Sequence, residues 1–254
     1  MIDSHCHIND PLYSSNPEQY VLEAKEAGVN TMLVIGYDLE SSKKAIEIAS
    51  RFDGVYAAVG IHPTDTKKMG PNDLKEIESL LINKKVIAIG EIGLDYHWDN
   101  DPIIKEKQKE YFKYQIGLAN KYKLPISIHS RDADEATLNC LIECPPLYGG
   151  VMHCYSGSKE MMPRFLKLGL LIGIGGVVTF KNAVKTKEVA INVPSDSYLL
   201  ETDAPYLAPT PYRGKENHSK YIPLIIEEIA KLRNEPITKV IEDTTNNFKR
   251  LFKI

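Results

Sequence analysis

The sequence predicts an α/β protein built as a (β/α)8 TIM barrel, and three observations predict it. Eight apolar, strand-like segments alternate with helix-like ones along 254 residues, a length that suits one barrel with a well-buried core. No composition shift, low-complexity linker or repeat beyond the strand–helix period divides the chain, so a single domain over 1–254 is expected. Neither GxGxxG nor a Walker loop is present, which sets aside an open doubly wound sheet with its glycine phosphate loop.

Taken in order, the first strand covers 1–5 and ends the MIDSH segment on a histidine, after which 18–27 has helical spacing. Strand 30–35 (NTMLVI) leads to helix 40–51, where Ser41 and Ser42 offer capping hydroxyls. Strand 55–61 (VYAAVGI) precedes helix 73–81, with capping chemistry at Pro71, Asn72 and Asp73. The fourth strand, 86–91, is the apolar run VIAIG; it delivers Glu91 and is expected to break at Gly93. A turn at 100–102 opens the long helix 103–122, followed by strand 125–129 (PISIH) and helix 132–141. Strands 150–153 (GVMH), 170–174 (LLIGI) and 197–201 (SYLLE) alternate with helices 159–167 and 183–190. Two further helices, 219–233 and 237–252, end the pattern.

Hydrophobic content of 43% and charged content of 26% are ordinary for a soluble globular chain. MIDSHCH has neither a basic n-region nor an apolar h-region, so no signal peptide is expected. No apolar run approaches the roughly 18–20 residues of a membrane span. Cys6, Cys140, Cys144 and Cys154 form no disulfide framework in a chain this long. Cys6 and Cys154, each beside a candidate metal histidine, are expected to point outward as core fillers. A cytoplasmic monomer with no membrane partner is the expectation. The net charge is -3, the pI is about 6.2, and no basic stripe of the kind that tracks long nucleic acid is visible, so a phosphate substrate would be held mainly at the site.

The candidate chemistry lies where strands end. A buried strand that finishes on an acid, as the fourth does on Glu91, needs a cationic partner from elsewhere in the fold. His5 and His7, two apart on a strand, face the same side and suit a divalent metal. His62 in GIHP follows the third strand, His129 ends the fifth in SIHSR, His153 ends the sixth in MHCYSG, and Asp203 follows the eighth in LLETDAPYL. Five of the seven histidines thus sit at the C-terminal ends of strands, the face on which barrel active sites are built, whereas His97 and His218 fall in loops. Four histidines with two carboxylates exceed what one tetrahedral ion needs. Two divalent ions roughly 3.5–4 Å apart, sharing Glu91 as a bridge, would use them all and clamp a phosphodiester in line. Asp203, able to hold both an ion and a water, is the expected general base, with Glu91 as the second catalytic carboxylate.

DSHCH, GIHP, GEIGLDY, HSRDA, HCYSG, GGVVTF, ETDAPYL and YRGKEN stand in the order and spacing of the TatD family of metal-dependent deoxyribonucleases, a branch of the amidohydrolase-like barrels. The chain resembles that family from Ile2 through TTNNFKRLF. The resemblance implies His5, His7, Glu91, His129, His153 and Asp203 as metal ligands, and Arg131 meeting a substrate phosphate through its bidentate fork. His62, Ser156 and Arg213 are further candidates for the phosphate side, and Asp95, Glu201 and Thr202 for orienting the ligands. Tyr155, Tyr206 or Trp98 near the mouth would stack a base. The chain departs from the family at His218-Ser219-Lys220 and at His97, where an aromatic is usual; both departures bear on end preference and not on the metal site.

The implied activity is hydrolysis of DNA from the 3′ end, on single strands or strand ends, with two divalent ions drawn from Mg2+, Zn2+ and Mn2+. The alternative is a metal-dependent amidohydrolase or deacylase, for example on aminoacyl-tRNA. Glu91 occupies the place where amidohydrolase relatives often carry a carboxylatable lysine, which favours phosphoesters. A third reading is a metal-bound scaffold without turnover, against which the full ligand set argues.

Overall fold

The computed structural model describes residues 1–11 and 16–254. Strands β1 (Ile2–Cys6), β2 (Thr31–Ile35), β3 (Val55–Val59), β4 (Val86–Asp95), β5 (Ile126–Arg131), β6 (Gly150–Met152), β7 (Leu170–Ile174) and β8 (Tyr198–Leu200) form one parallel sheet in sequential order. A bridge between Cys6 and Ala204 joins the edges, so the eight strands make a nearly closed barrel. Around it run α1 (Pro17–Glu26), α2 (Leu39–Arg51), α3 (Pro71–Leu80), α4 (Pro102–Tyr122), α5 (Asp134–Glu143), α6 (Met162–Leu166), α7 (Val184–Asn192), α8 (Ile222–Arg233) and α9 (Ile237–Phe252). No helix among the described residues is long and apolar enough to cross a membrane.

The two-residue period of a strand sorts the core into two clusters. Leu33 and Ile35 of β2 join Ala58, Ile87, Val151 and Leu199 inside the barrel, while Met32 and Val34 pack outward beneath the helices. Phe248 and Phe252 of α9 belong to the inner cluster and plug the N-terminal end of the barrel. A register shift between Asp3 and Cys6 breaks the period in β1. It lets Ile2 join the inner cluster while Cys6 lies in the outer one, so His5 and His7, either side of Cys6, point inward.

Local chemistry sets the helix starts. Asp38 accepts the Ser41 amide at 2.7 Å while Ser41 Oγ accepts the Asp38 amide at 2.9 Å, a reciprocal cap for α2. Asp101 accepts the Ile103 amide at 2.9 Å and starts α4. Several expected boundaries differ. β3 ends at Val59, so His62 stands beyond the strand and opens a 3₁₀ turn over Pro63–Asp65. α6 is a single turn with Pro163 in its first turn, because the ring removes a donor that a longer helix would need upstream. β4 does not break at Gly93: it runs on to Asp95, paired with Arg131 of β5. Gly93 is what permits this, since its φ of +142° and its packing against the His129 carbonyl admit no side chain.

Candidate metal centre

The C-terminal ends of β1, β4, β5, β6 and β8 bring His5, His7, Glu91, His129, His153 and Asp203 together. His5 Nε2 and His7 Nε2 lie 3.1 Å apart. Glu91 Oε2 is 3.6 and 3.5 Å from them, and Asp203 Oδ1 is 3.8 and 3.4 Å from them. A tetrahedral ion with bonds of about 2.1 Å has edges of about 3.4 Å, so the inner atoms of His5, His7 and Asp203 suit three corners around one divalent cation. Glu91 Oε1 turns the other way, 2.8 Å from His129 Nδ1, 3.4 Å from His153 Nε2 and 3.5 Å from His62 Nε2. His5, His7 and Asp203 could hold one ion; so could His5, Glu91 and His153, or His62, Glu91 and His129.

The outer nitrogen of each imidazole decides what the inner one offers. His7 Nδ1 donates to the Ile35 carbonyl at 3.0 Å, His153 Nδ1 to Glu201 Oε1 at 3.1 Å, and His129 Nε2 to Asp95 Oδ2 at 3.0 Å. His5 Nδ1 lies 3.2 Å from Ser127 Oγ, which can accept from it. Each ring, when neutral, therefore aims a lone pair inward, and two lone pairs 3.1 Å apart at His5 and His7 would require a cation or a shared proton between them. His62 is the opposite case. Its Nδ1 accepts the Thr64 amide at 3.2 Å, so in the neutral ring the inward Nε2 carries hydrogen and is a donor.

Electrostatics agree with a centre built for positive charge. Burial drives His5 down to about 4, which leaves it neutral. Burial also acts downward on His153, but the Glu201, Glu91 and Asp203 carboxylates outweigh it and raise the ring to about 10. Burial would raise Glu91, yet the surrounding imidazoles, His62 and His153 first, hold it well below the ordinary carboxylate range. His153 is thus protonated at pH 7, and an ion taking its inner lone pair must displace that proton. Calorimetric titration of Zn2+ or Mn2+ at pH 7 in buffers of differing ionisation enthalpy should read at least one proton released per chain. Affinity should weaken by up to about tenfold per pH unit as the pH falls. Binding without proton release would refute this protonation state.

Of the three side chains expected to orient ligands, two contact a clustered histidine and one does not. Asp95 accepts from His129 and Glu201 accepts from His153. Thr202 instead serves Asp3, donating its amide at 3.0 Å and its hydroxyl at 2.5 Å. Asp3 is fully buried, and desolvation lifts its carboxyl to about 6 despite those bonds. Asp3 and Ser127 had no assigned role in the sequence reading; the signal was a polar residue at an interior position of an apolar strand. Asp203 has a left-handed φ of +57°; its amide donates to the His5 carbonyl at 2.9 Å, which fixes it across the β8–β1 closure.

Two cavities flank the cluster. One of about 460 Å³ is lined by His129, Arg131, His153, Ser156, Asp203 and Tyr206. The other, of about 180 Å³, is lined by His7, Tyr37, His62, Glu91 and Tyr206. Arg213 lines neither; it is exposed, with its guanidinium 4.5 Å from the Phe180 ring centroid. Cys6 fills the outer core as expected, but Cys154 does not: with φ at +43° it turns into the larger cavity. Tyr155 is only 5% exposed and its hydroxyl donates to the Ser158 carbonyl, so it cannot stack a base; Tyr206 and Trp98 remain open.

A nearly closed parallel barrel with an imidazole–carboxylate centre at its C-terminal mouth defines a metal-dependent hydrolase. The chain belongs to the TatD related DNase family, which it matches over residues 2–253. It is 43% identical over 255 residues to YabD of Bacillus subtilis, described as an uncharacterized metal-dependent hydrolase, covering all of this chain and 99% of that one. It is 32% identical over 262 residues to the 3′-5′ ssDNA/RNA exonuclease TatD of Klebsiella pneumoniae, covering all of this chain and 98% of that one. The crystal structure of YjjV, a TatD homologue from Escherichia coli, superposes with a TM-score of 0.95 at 33% identity over all of this chain and 98% of that one.

Proposed function

We propose that this hydrolase cleaves phosphodiester bonds of DNA, removing nucleotides from the 3′ ends of single strands, with two divalent ions held by His5, His7, Glu91, His129, His153 and Asp203. The observation that carries this reading is the split of Glu91: Oε2 faces His5 and His7, and Oε1 faces His129 and His153. The exonuclease named among the relatives supports the nucleic-acid substrate and its polarity. Ions bound there, of which Mg2+, Zn2+ and Mn2+ are the candidates, would lower the pKa of water towards 7 and stabilise charge at phosphorus.

Asp203 is the general base. Burial would raise its carboxyl, but His153, His7 and His5 hold it below the ordinary value, so it is ionised at neutral pH. Its side chain is 14% exposed against 5% for Glu91, so of the two it is the one water reaches. Water adds its oxygen to phosphorus and its proton goes to Asp203; the bond from phosphorus to the 3′ oxygen breaks, and that oxygen leaves with the shortened strand. Arg131 grips a non-bridging oxygen from the larger cavity, and Ser156 stands beside it as a hydroxyl donor. Burial keeps His62 below its usual pKa, so it acts as a neutral N–H donor to a phosphoryl oxygen. Arg213 would meet only a phosphate farther along the strand. Four free cysteines accord with a reducing compartment, and we assign the protein to the cytoplasm as a monomer.

The test is cleavage of 5′-labelled single-stranded DNA by metal-stripped protein after adding back Mg2+, Mn2+ or Zn2+. The expected product is a ladder shrinking from the 3′ end. Asp203→Asn should slow it by about 10²–10⁴-fold. His62→Ala should slow it while the bound metal, measured by elemental analysis, stays at the wild-type level. No cleavage with any ion, while two ions per chain still bind, would sink the nuclease reading and turn attention to acyl substrates.

A further inference from the structure

The rim beside Arg131 holds a side chain that the reaction above leaves unused. Trp98 is the only tryptophan in the sequence and is 66% exposed, an unusual position for the largest apolar side chain. It is held in place. Asp95 Oδ1 accepts the His97 and Trp98 amides at 3.0 and 3.2 Å, and Oδ2 of the same carboxylate holds His129 Nε2 at 3.0 Å. One buried acid therefore ties the turn presenting the indole to an imidazole of the metal centre. The Arg131 guanidinium lies 5.3 Å from the indole centroid, and the His97 ring meets the indole edge-on at 4.8 Å. His97 is itself anchored, with Nδ1 2.9 Å from Asp132 Oδ2. No carboxylate among the described residues lies within 4.0 Å of the Arg131 guanidinium, although that side chain lines the same cavity as His129, His153 and Asp203.

From these contacts we infer that Trp98 and Arg131 form a nucleotide subsite at the rim: the cation takes a backbone phosphate, and the open face of the indole stacks the adjoining base. The inference rests on the nuclease reading and names what that reading leaves open, an unpaired base next to the scissile phosphate. Every base has a π-face, so the subsite tolerates any sequence; a base paired within a duplex cannot turn onto it, so single-stranded or frayed ends are favoured over blunt ones. Because Asp95 spans both features, the stacked base is held in register with the metal centre.

The test uses the emission of this single tryptophan in the full chain with Mn2+ present. The probe is an oligothymidylate whose 3′ linkages are phosphorothioates that resist cleavage. Saturable quenching is expected. An oligomer of equal length and charge ending in abasic nucleotides should bind about tenfold to a hundredfold more weakly and leave the emission unchanged. By anisotropy of labelled oligomers, Trp98→Ala should bind both probes with the weaker constant, and Trp98→Phe should recover part of the difference. No quenching, or equal weakening of both probes by Trp98→Ala, would overturn the subsite. Cleavage of unmodified DNA is measured alongside: cleavage without quenching removes the subsite and keeps the nuclease, whereas quenching without cleavage by any of the three ions does the reverse.

Discussion

Glu91→Gln is expected to lower hydrolysis by about a thousandfold or more and to strip at least one divalent ion per chain, with the barrel still folded. Glu91 is the one side chain whose two oxygens face different groups of imidazoles, with Oε2 near His5 and His7 and Oε1 near His129, His153 and His62. An amide keeps the volume but replaces one oxygen by a donor, so whichever way it turns, N–H groups point at a place built for a cation. It also removes the charge that helps hold His153 at about 10. The same substitution shifts the pH dependence of stability. Glu91 ionises well below 4.5 in the folded chain, so its contribution is present above the unfolded value and is lost as pH falls through the folded one. Glu91→Gln should therefore flatten the acid limb of a stability profile measured without metal. Elemental analysis, single-turnover cleavage and circular dichroism on one preparation separate these effects. Full metal content with wild-type turnover would falsify the bridging role.

The barrel was legible because its period was. Each strand is a short apolar run, each is followed by helical spacing, and Leu33 against Met32 in β2 illustrates how a two-residue alternation already assigns inside and outside. The clustering of the histidines was legible for a related reason: a polar residue at the end of an apolar strand has few places to go except the mouth. What escaped notice depends on backbone geometry that side-chain type does not encode. Gly93 reads as a breaker, yet here it lets β4 and β5 stay paired for two residues more, which is what brings Asp95 under His129. Cys154 reads as the outward neighbour of an inward histidine, but its left-handed backbone turns it into the cavity. His62 resembles the other strand-end histidines until its partner is known: a backbone N–H on Nδ1 makes it a donor. Asp3 looked incidental within DSHCH because its partners, at Thr202, are 199 residues away.

The second large effect is on the fold itself. Gly93→Ala is expected to destabilise the chain by more than about 4 kcal/mol, the range reserved for substitutions that force the backbone apart. A β-carbon there would lie 2.0 Å from the His129 carbonyl oxygen and 2.9 Å from its carbon, and φ at +142° is one that alanine resists. Neither neighbour can give way cheaply, because His129 is itself paired in register with Gly93 within the sheet. Separating β4 from β5 would also pull Glu91 from His129, now 2.8 Å apart, so any folded fraction should bind metal weakly. Gly117 provides the contrast. It lies on the exposed face of α4, a β-carbon there meets nothing within 4 Å, and Gly117→Ala should stabilise by about 0.5–1 kcal/mol through helix propensity. Urea unfolding midpoints of the two variants should therefore move in opposite directions. If Gly93→Ala unfolds at the wild-type midpoint, close approach of β4 to β5 is not what aligns the two halves of the metal centre. If it fails while Gly117→Ala gains, the glycine that reads as a strand breaker is what holds the site together.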